Sequence, residues 1–296
     1  MTETRLETAQ LRGVVLQPAP FLKWAGGKSQ LLNQFEGYFP RAFNAYFEPF
    51  LGGGAVFFHL VATGRIKTAV IADSNRDLID CYLAVKDDLE VLIRRLKELQ
   101  RHVKDREYYA SARKRFNEIK LNGTEDDRVE KAALLMYLNK TCFNGLYRVN
   151  AKGLFNVPWG RYKNARIYNA YNLAEVRETL NQQGVKVQCG DYVTIRNQVR
   201  EGDFVYFDPP YHPLSETAHF TSYTSERFAW ADQEKLASLF HTLTSKKCFV
   251  MLSNSPEVQQ LYEGHGYHLK VVKAGRAINS VATKRGPIDE LLVMNY

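Results

Sequence analysis

The stretch from Tyr46 to Asp73 limits the possible fold more than any other part of the chain. A short aromatic strand, YFEPF (Tyr46 to Phe50), runs into Gly52-Gly53-Gly54 and then into the apolar helical run AVFFHLVATG, closed by Gly64. Thr68 to Asp73 (TAVIAD) reads as a buried strand ending on an acid. Next, SNRDLIDCYLAVKDD places Leu78, Ile79, Tyr82 and Val85 on one helical face, with Ser74 or Asn75 available as the cap. Strand, glycines, helix, strand, acid is the first half of a doubly wound nucleotide-binding sheet. The dinucleotide pattern G-x-G-x-x-G fails at Phe57, so a nucleoside lacking a pyrophosphate suits these glycines better. Asp73 stands where such sheets hold ribose hydroxyls.

This α/β pattern is interrupted. Glu90 to about Asn139 is long, charged and helical, and the strands resume only after Gly184 with VKVQCGD. Then come DFVYFDPPY (Asp203 to Tyr211), a helix over Ala229 to Ser245, the strand KCFVMLSN, a short helix in SPEVQQLYEGHG, and a closing pair of strands in YHLKVVKA and IDELLVMNY. The expectation is a mostly parallel sheet with one antiparallel strand, built from residues 1-87 and 185-296. Residues 88-184 form an inserted, mainly helical module carrying a β-hairpin.

The chemistry concentrates at Asp208-Pro209-Pro210-Tyr211, just past a strand, where open α/β sheets bind their ligands. Two prolines remove two amide donors. What remains is an acceptor pair, the Asp208 carboxylate and the Pro209 carbonyl, beside the flat ring of Tyr211. That set suits the amino group of a planar base, whose hydrogens the acceptors hold while the base stacks. By contrast, Gly26-Gly27-Lys28-Ser29 is not a P-loop: the first glycine of G-x-x-x-x-G-K-S would fall on Leu22, and no clean strand precedes it.

The net charge of +8 points weakly to a polyanionic partner, but its distribution says more. From Met136 to Arg166 there are six basic residues (Lys140, Arg148, Lys152, Arg161, Lys163, Arg166) and no acid. Phe143, Tyr147, Phe155, Trp159 and Tyr162 are interleaved with them. A basic, aromatic, turn-rich stretch is suited to reaching into a nucleic-acid groove. The four cysteines form no C-x-x-C pair, the histidines show no metal spacing, and no apolar run reaches membrane-spanning length. The polar N-terminus lacks the apolar core of a secretion signal and reads as a frayed tail. No metal is expected, and the thiols read as reduced, in a cytoplasmic protein.

The words KWAGGKSQLL, FEPFLGGGAVFF, IADSNRDLI, FNGLYRVN, FNVPWGRYK, FVYFDPPY and MLSNS, in this order, resemble the Dam-type DNA adenine methyltransferases, especially the GATC-modifying methylases of restriction–modification systems. The resemblance spans nearly the whole chain. It implies transfer of a methyl group from S-adenosylmethionine to the N6 amine of an adenine flipped out of double-stranded DNA, in a bacterial or phage setting, by a monomer needing no protein partner. It assigns catalysis to Asp208, Pro209 and Tyr211. Cofactor contacts fall to Trp24, Lys28 (toward the cofactor carboxylate), Phe50, Gly52, Gly54, Asp73, Asp191 (near the cofactor adenine, or simply a helix cap) and Asp208. DNA contacts fall to Lys23 (an outer base), Phe143 (a wedge in the base stack), Asn144, Leu146, Arg148 (bidentate to guanine), Arg161 and Tyr162. Some members carry tyrosine where this chain has Phe143, which keeps the wedge and drops any hydroxyl contact. The polar loop after Asp208-Pro209-Pro210-Tyr211 could close over the base, and His212 within it is not expected to be the base catalyst. The competing readings are methylation of cytosine N4, of RNA adenine or of protein, or a DNA-binding module without catalysis.

Overall fold

The structure is a computed structural model that describes residues 17–211, 228–274 and 288–296. The expected terminal tail and the polar loop with His212 lie outside these residues. Seven strands form one sheet in the order β3-β2-β1-β4-β5-β7-β6. They are β1 (Tyr46–Glu48), β2 (Ala69–Asp73), β3 (Val185–Cys189), β4 (Phe204–Phe207), β5 (Phe249–Asn254), β6 (His268–Ala274) and β7 (Ile288–Met294). The pairs β1–β2, β1–β4, β2–β3 and β4–β5 are parallel, whereas β7 runs antiparallel between β5 and β6. Strand positions agree with the sequence reading, but β4 stops at Phe207, because Pro209 and Pro210 have no N–H to extend the ladder.

The period of two sorts each strand's side chains onto two faces. Phe204, Tyr206, Met251 and Leu292 enter one core, and Val205, Phe207, Val250, Leu252 and Leu291 enter the other. Helices α1 (Leu32–Phe35), α2 (Ala55–Ala62) and α3 (Arg76–Asp87) cover the first face. Asn75 caps α3 by accepting from the N–H groups of Asp77 and Leu78, so of the two possible caps it is the one used. The inserted segment contributes α4 (Leu89–Gln100), α5 (Arg106–Asn122), α6 (Arg128–Thr141) and α7 (Ala170–Leu180), and no strand of the sheet. Its Leu92, Leu96, Phe116, Leu135 and Leu138 share one apolar core with Leu78 and Ile79 of α3. Helix α8 (Trp230–Ser245) covers the second face through Leu236, Phe240 and Leu243.

The expected hairpin in the insert is antiparallel but has no ladder. Single bridges join Cys142 to Trp159 and Val149 to Phe155. Left-handed residues at Asn144 (φ 56°), Gly145 (φ 64°) and Gly153 (φ 73°) repeatedly turn the chain, which shortens every run of extended backbone.

Candidate active site

Strands β4, β1 and β2 lie side by side at the centre of the sheet, so the segments leaving their carboxyl ends converge on one edge. After β1 comes a glycine turn in which Gly52 (φ 49°) and Gly54 (φ 71°) are left-handed. Space as well as φ requires glycine there: a Cβ on Gly52 would stand 2.9 Å from Cδ1 of Trp24, and one on Gly54 2.8 Å from the Tyr82 hydroxyl. The indole of Trp24 thus roofs the turn. Asp73, at the end of β2, accepts from the Gly52 N–H (3.0 Å) and the Asn75 N–H (2.9 Å), which pins the turn to the neighbouring strand. Burial raises the proton affinity of Asp73 despite these two backbone donors.

Asp208 lies just beyond β4. Its Oδ1 receives a hydrogen bond from Lys28 Nζ at 2.7 Å and stands 3.4 Å from the Ser253 hydroxyl. Lys28 is 3% exposed and also bonds the Gly26 carbonyl (2.9 Å), lies 3.2 Å from Glu290 Oε1, and sits over the Tyr211 ring at 5.2 Å. Burial disfavours its charge, but Asp208, Tyr211 and Glu290 more than offset this and raise its proton affinity well above the ordinary value. Two acids in a buried position need a counter-charge, and Lys28 supplies it. Burial pushes Asp208 up to about 6, with Lys28 opposing and Glu290 reinforcing the shift. The Tyr211 hydroxyl donates to Glu290 Oε2 at 2.5 Å. Glu48 of β1, buried and bonded to the Tyr46 hydroxyl (2.8 Å), is held well above the carboxylate range by burial.

Phe50 and Asp191 lie toward the other face of the sheet. Phe50 stacks on Tyr192 at 5.1 Å and meets Phe228 edge-on. Asp191 is exposed and accepts from the Val193 N–H at 2.9 Å, so its geometry is that of a cap on the turn Tyr192–Asn197.

The residues assigned to DNA form a second group beside the first. Lys23 lies over the Tyr162 ring at 5.0 Å, and Phe143 is 47% exposed, unusual for an aromatic hydrocarbon. Arg148 donates through Nε to Asn156 Oδ1 (2.7 Å), which fixes the plane of its guanidinium. Leu146 is partly buried and packs on the main core. Asn144 and Arg161 are two of the three non-glycine residues with positive φ among those described; for arginine the strain is about 1–2 kcal/mol. Trp24 stacks on Tyr147 at 5.3 Å, so the two groups share a wall.

Several participants were missed by sequence reasoning. Asn139 of α6 accepts from the Lys23 N–H (2.8 Å) and donates to the carbonyls of Lys23 (2.8 Å) and Gly145 (3.1 Å), tying both groups together. Gln233 donates to the Pro210 carbonyl (3.2 Å) and accepts from Asn254 (2.9 Å), anchoring the proline pair. Asn156 and Glu290 complete the set. The available signal was a polar residue at the border of an apolar run: Asn139 after AALLMYL, Asn254 after FVMLS, Glu290 before LLVM. Among the described residues no helix is long and apolar enough to cross a membrane, and no cluster of His, Cys, Asp and Glu could hold a metal ion.

A sequence profile for the D12 class of N6 adenine-specific DNA methyltransferases matches residues 24–278. The type II methyltransferase M1.LlaDCHI of Lactococcus lactis subsp. cremoris is 44% identical over 94% of this chain and 95% of its own length. The type II methyltransferase M.MjaIII of Methanocaldococcus jannaschii is also 44% identical, over 95% of this chain and 100% of its own length. The DNA adenine methylase of Escherichia coli K12 is 34% identical over 93% and 94%, respectively. These matches decide between the competing readings in favour of the adenine N6 amine of DNA, and the chain belongs to the D12 class of N6 adenine-specific DNA methyltransferases.

Proposed function

We propose that the methyl donor is S-adenosylmethionine, that the target adenine is turned out of duplex DNA, and that the sequence read is GATC. The observation that carries this reading is Asp208: an acceptor held by Lys28 at 2.7 Å, at the sheet edge that also bears the glycine turn roofed by Trp24.

The residues at this edge fit the cofactor. The turn at Gly52 and Gly54 leaves its backbone open to close approach, roofed by Trp24. Asp73 keeps lone pairs beyond its two backbone bonds for ribose hydroxyls. Phe50 with Tyr192 offers an aromatic wall, and Asp191 lies beside it on the cap of the same turn. When bound, the cofactor would supply a methyl group already activated on a sulfonium, leaving S-adenosylhomocysteine as the product, and the methylated amine would lose its proton after transfer. The chain's own work is positioning and electrostatics. Asp208 and the Pro209 carbonyl accept the two amine hydrogens, drawing the nitrogen lone pair out of the ring. The Tyr211 ring stacks on the base. Lys28 acts through Asp208, keeping it ionised at neutral pH.

In this reading residues 88-184 are the target-recognition domain and residues 1-87 with 185-296 the catalytic domain. Lys23, Asn144, Leu146, Arg161 and Tyr162 contact the duplex, Phe143 fills the gap left by the base, and Arg148 reads guanine. The chain acts as a monomer, as a partner of a restriction system or alone. Arg148→Ala is expected to relax preference at a single base pair by about 1–3 kcal/mol. Methylation rates on singly substituted duplexes measure this; an unchanged preference removes Arg148 from the readout. Lys140 adds a pH dependence. Burial and the charge of Lys23 hold it down to about 8. Phosphate favours the protonated amine, so DNA affinity should weaken as pH rises through about 8, by at most about tenfold per unit for one proton. Lys140→Arg should flatten that slope in a binding titration, and an equally steep slope in the variant would exclude Lys140 as its source.

The whole reading is tested with unmethylated genomic DNA, purified protein and S-adenosylmethionine, followed by single-molecule sequencing. Methyladenine in GATC is the expected product. Methyladenine in another motif would overturn the assigned readout, and no transfer from this donor would overturn the cofactor.

A further inference from the structure

Glu290 reaches the site by an unusual route. β7 is antiparallel to its neighbours, so its first residues, not its last, lie at the carboxyl edge. Leu291 pairs with Asn254 at the end of β5, and Glu290 with Val272 of β6. Glu290 is 3% exposed; its Oε2 accepts from the Tyr211 hydroxyl at 2.5 Å, and its Oε1 lies 3.2 Å from Lys28. One ammonium therefore stands between two carboxylates, Asp208 at 2.7 Å and Glu290, inside the protein.

Resting on the assignment of Asp208 as acceptor of the adenine amine, we propose that Glu290 is a positioning residue that orients Tyr211 and keeps Asp208 a strong hydrogen-bond acceptor. The balance of charge gives the reason. With Glu290 ionised, the trio carries one net negative charge, and protonating Asp208 neutralises it. With Glu290 made neutral, the trio is neutral, and protonating Asp208 would leave an uncompensated buried cation. Glu290 thus raises the proton affinity of Asp208, while Lys28 limits the rise so that the group is still ionised at neutral pH. A carboxylate of higher proton affinity accepts a stronger hydrogen bond from an amine. The other groups facing Asp208 are the Ser253 hydroxyl from β5, Tyr206 from β4, whose hydroxyl bonds Ser253 at 2.7 Å, Glu48 from β1, and Tyr211. Among these, Glu290 is the carboxyl that contacts both Lys28 and Tyr211.

The test compares Glu290→Gln with Glu290→Asp. In protein carrying carbon-13 at its aspartate carboxyls, with the Asp208 signal identified by Asp208→Asn, Glu290→Gln should lower the Asp208 titration midpoint by about one unit. The acid limb of methyl transfer should move down by the same amount. The glutamine oxygen can still accept from Tyr211, so kcat at neutral pH falls modestly. Glu290→Asp keeps the charge and shortens the reach, so the midpoint should stay while kcat falls about tenfold or more. A folded Glu290→Gln protein with an unmoved midpoint overturns the proposal. If that variant does not fold, a Glu290→Asp protein with wild-type kcat overturns it instead. Failure of the underlying reading looks different: Asp208→Asn would then remain active.

Discussion

Asp208→Ala is expected to abolish methyl transfer while leaving most duplex binding in place. The carboxylate is the charged acceptor at the end of β4, and its Oδ1 is already committed to Lys28 at 2.7 Å. The other oxygen is then the one free to draw on the amine, and alanine removes it. Loss of one preorganised group of this kind costs about 10²–10³ in rate. Here the loss should reach the upper end or beyond, because the same group also fixes Lys28. The fold should tolerate the change better than removal of half an ion pair usually allows, since Lys28 keeps Glu290 at 3.2 Å. In the proposed reading duplex binding rests on the other group of residues, around Lys23 and Phe143, which Asp208→Ala leaves untouched. Single-turnover transfer to a synthetic duplex and a gel-shift titration measure the two quantities separately. Activity within a few-fold of wild type would sink the assignment of Asp208. Wild-type transfer should itself decline as pH falls through about 6, because the acceptor must be ionised and burial holds its midpoint there.

The sheet was readable because its strands obey simple rules. Val205 and Phe207 alternate with Phe204 and Tyr206 between two cores, and an apolar run bounded by turn residues announces that alternation. Asn75 was a readable cap because its side chain competes for backbone N–H groups. The edge at Asp73 and Asp208 was readable because parallel strands deliver their carboxyl ends to one place. Glu290 escaped for the converse reason: it begins an antiparallel strand, and nothing local marks the direction of a strand. Lys28 was found, but its internal partners Asp208 and Glu290 were not, since they lie about 180 and 262 residues away in sequence and no local pattern encodes such contacts. Asn144 before Gly145 carries a known tolerance for left-handed backbone, but Arg161 has none, so its strained conformation is a product of the surrounding packing.

Asn139→Ala should be the most damaging change outside the buried Lys28, Asp208 and Glu290 cluster. The Asn139 side chain is 1% exposed and satisfies three backbone groups: the N–H and C=O of Lys23 and the C=O of Gly145. Lys23 precedes Trp24, the roof of the glycine turn, and Gly145 belongs to the turn that presents Phe143. One amide therefore sets the spacing between the Trp24 roof and the Phe143 turn, the proposed cofactor and DNA sides. Alanine leaves the three groups unpaired at about 1 kcal/mol or more each, a loss of roughly 3 kcal/mol from a total stability that is seldom above about 15. Asn139→Asp separates hydrogen bonding from mere space filling. Its oxygen can still accept from the Lys23 N–H, but a carboxylate has no donor for the two carbonyls and faces them with like charge in a buried position. It should therefore be at least as unstable as the alanine variant, although it is nearly the same shape as asparagine. Denaturant unfolding ranks the two variants, and calorimetric titrations of S-adenosylmethionine and of duplex measure the functional loss. Both affinities should fall together, in contrast to Arg148→Ala, which should spare the cofactor. An aspartate variant as stable as wild type would refute the hydrogen-bonding role, and an undiminished cofactor affinity would refute the link between the two sides.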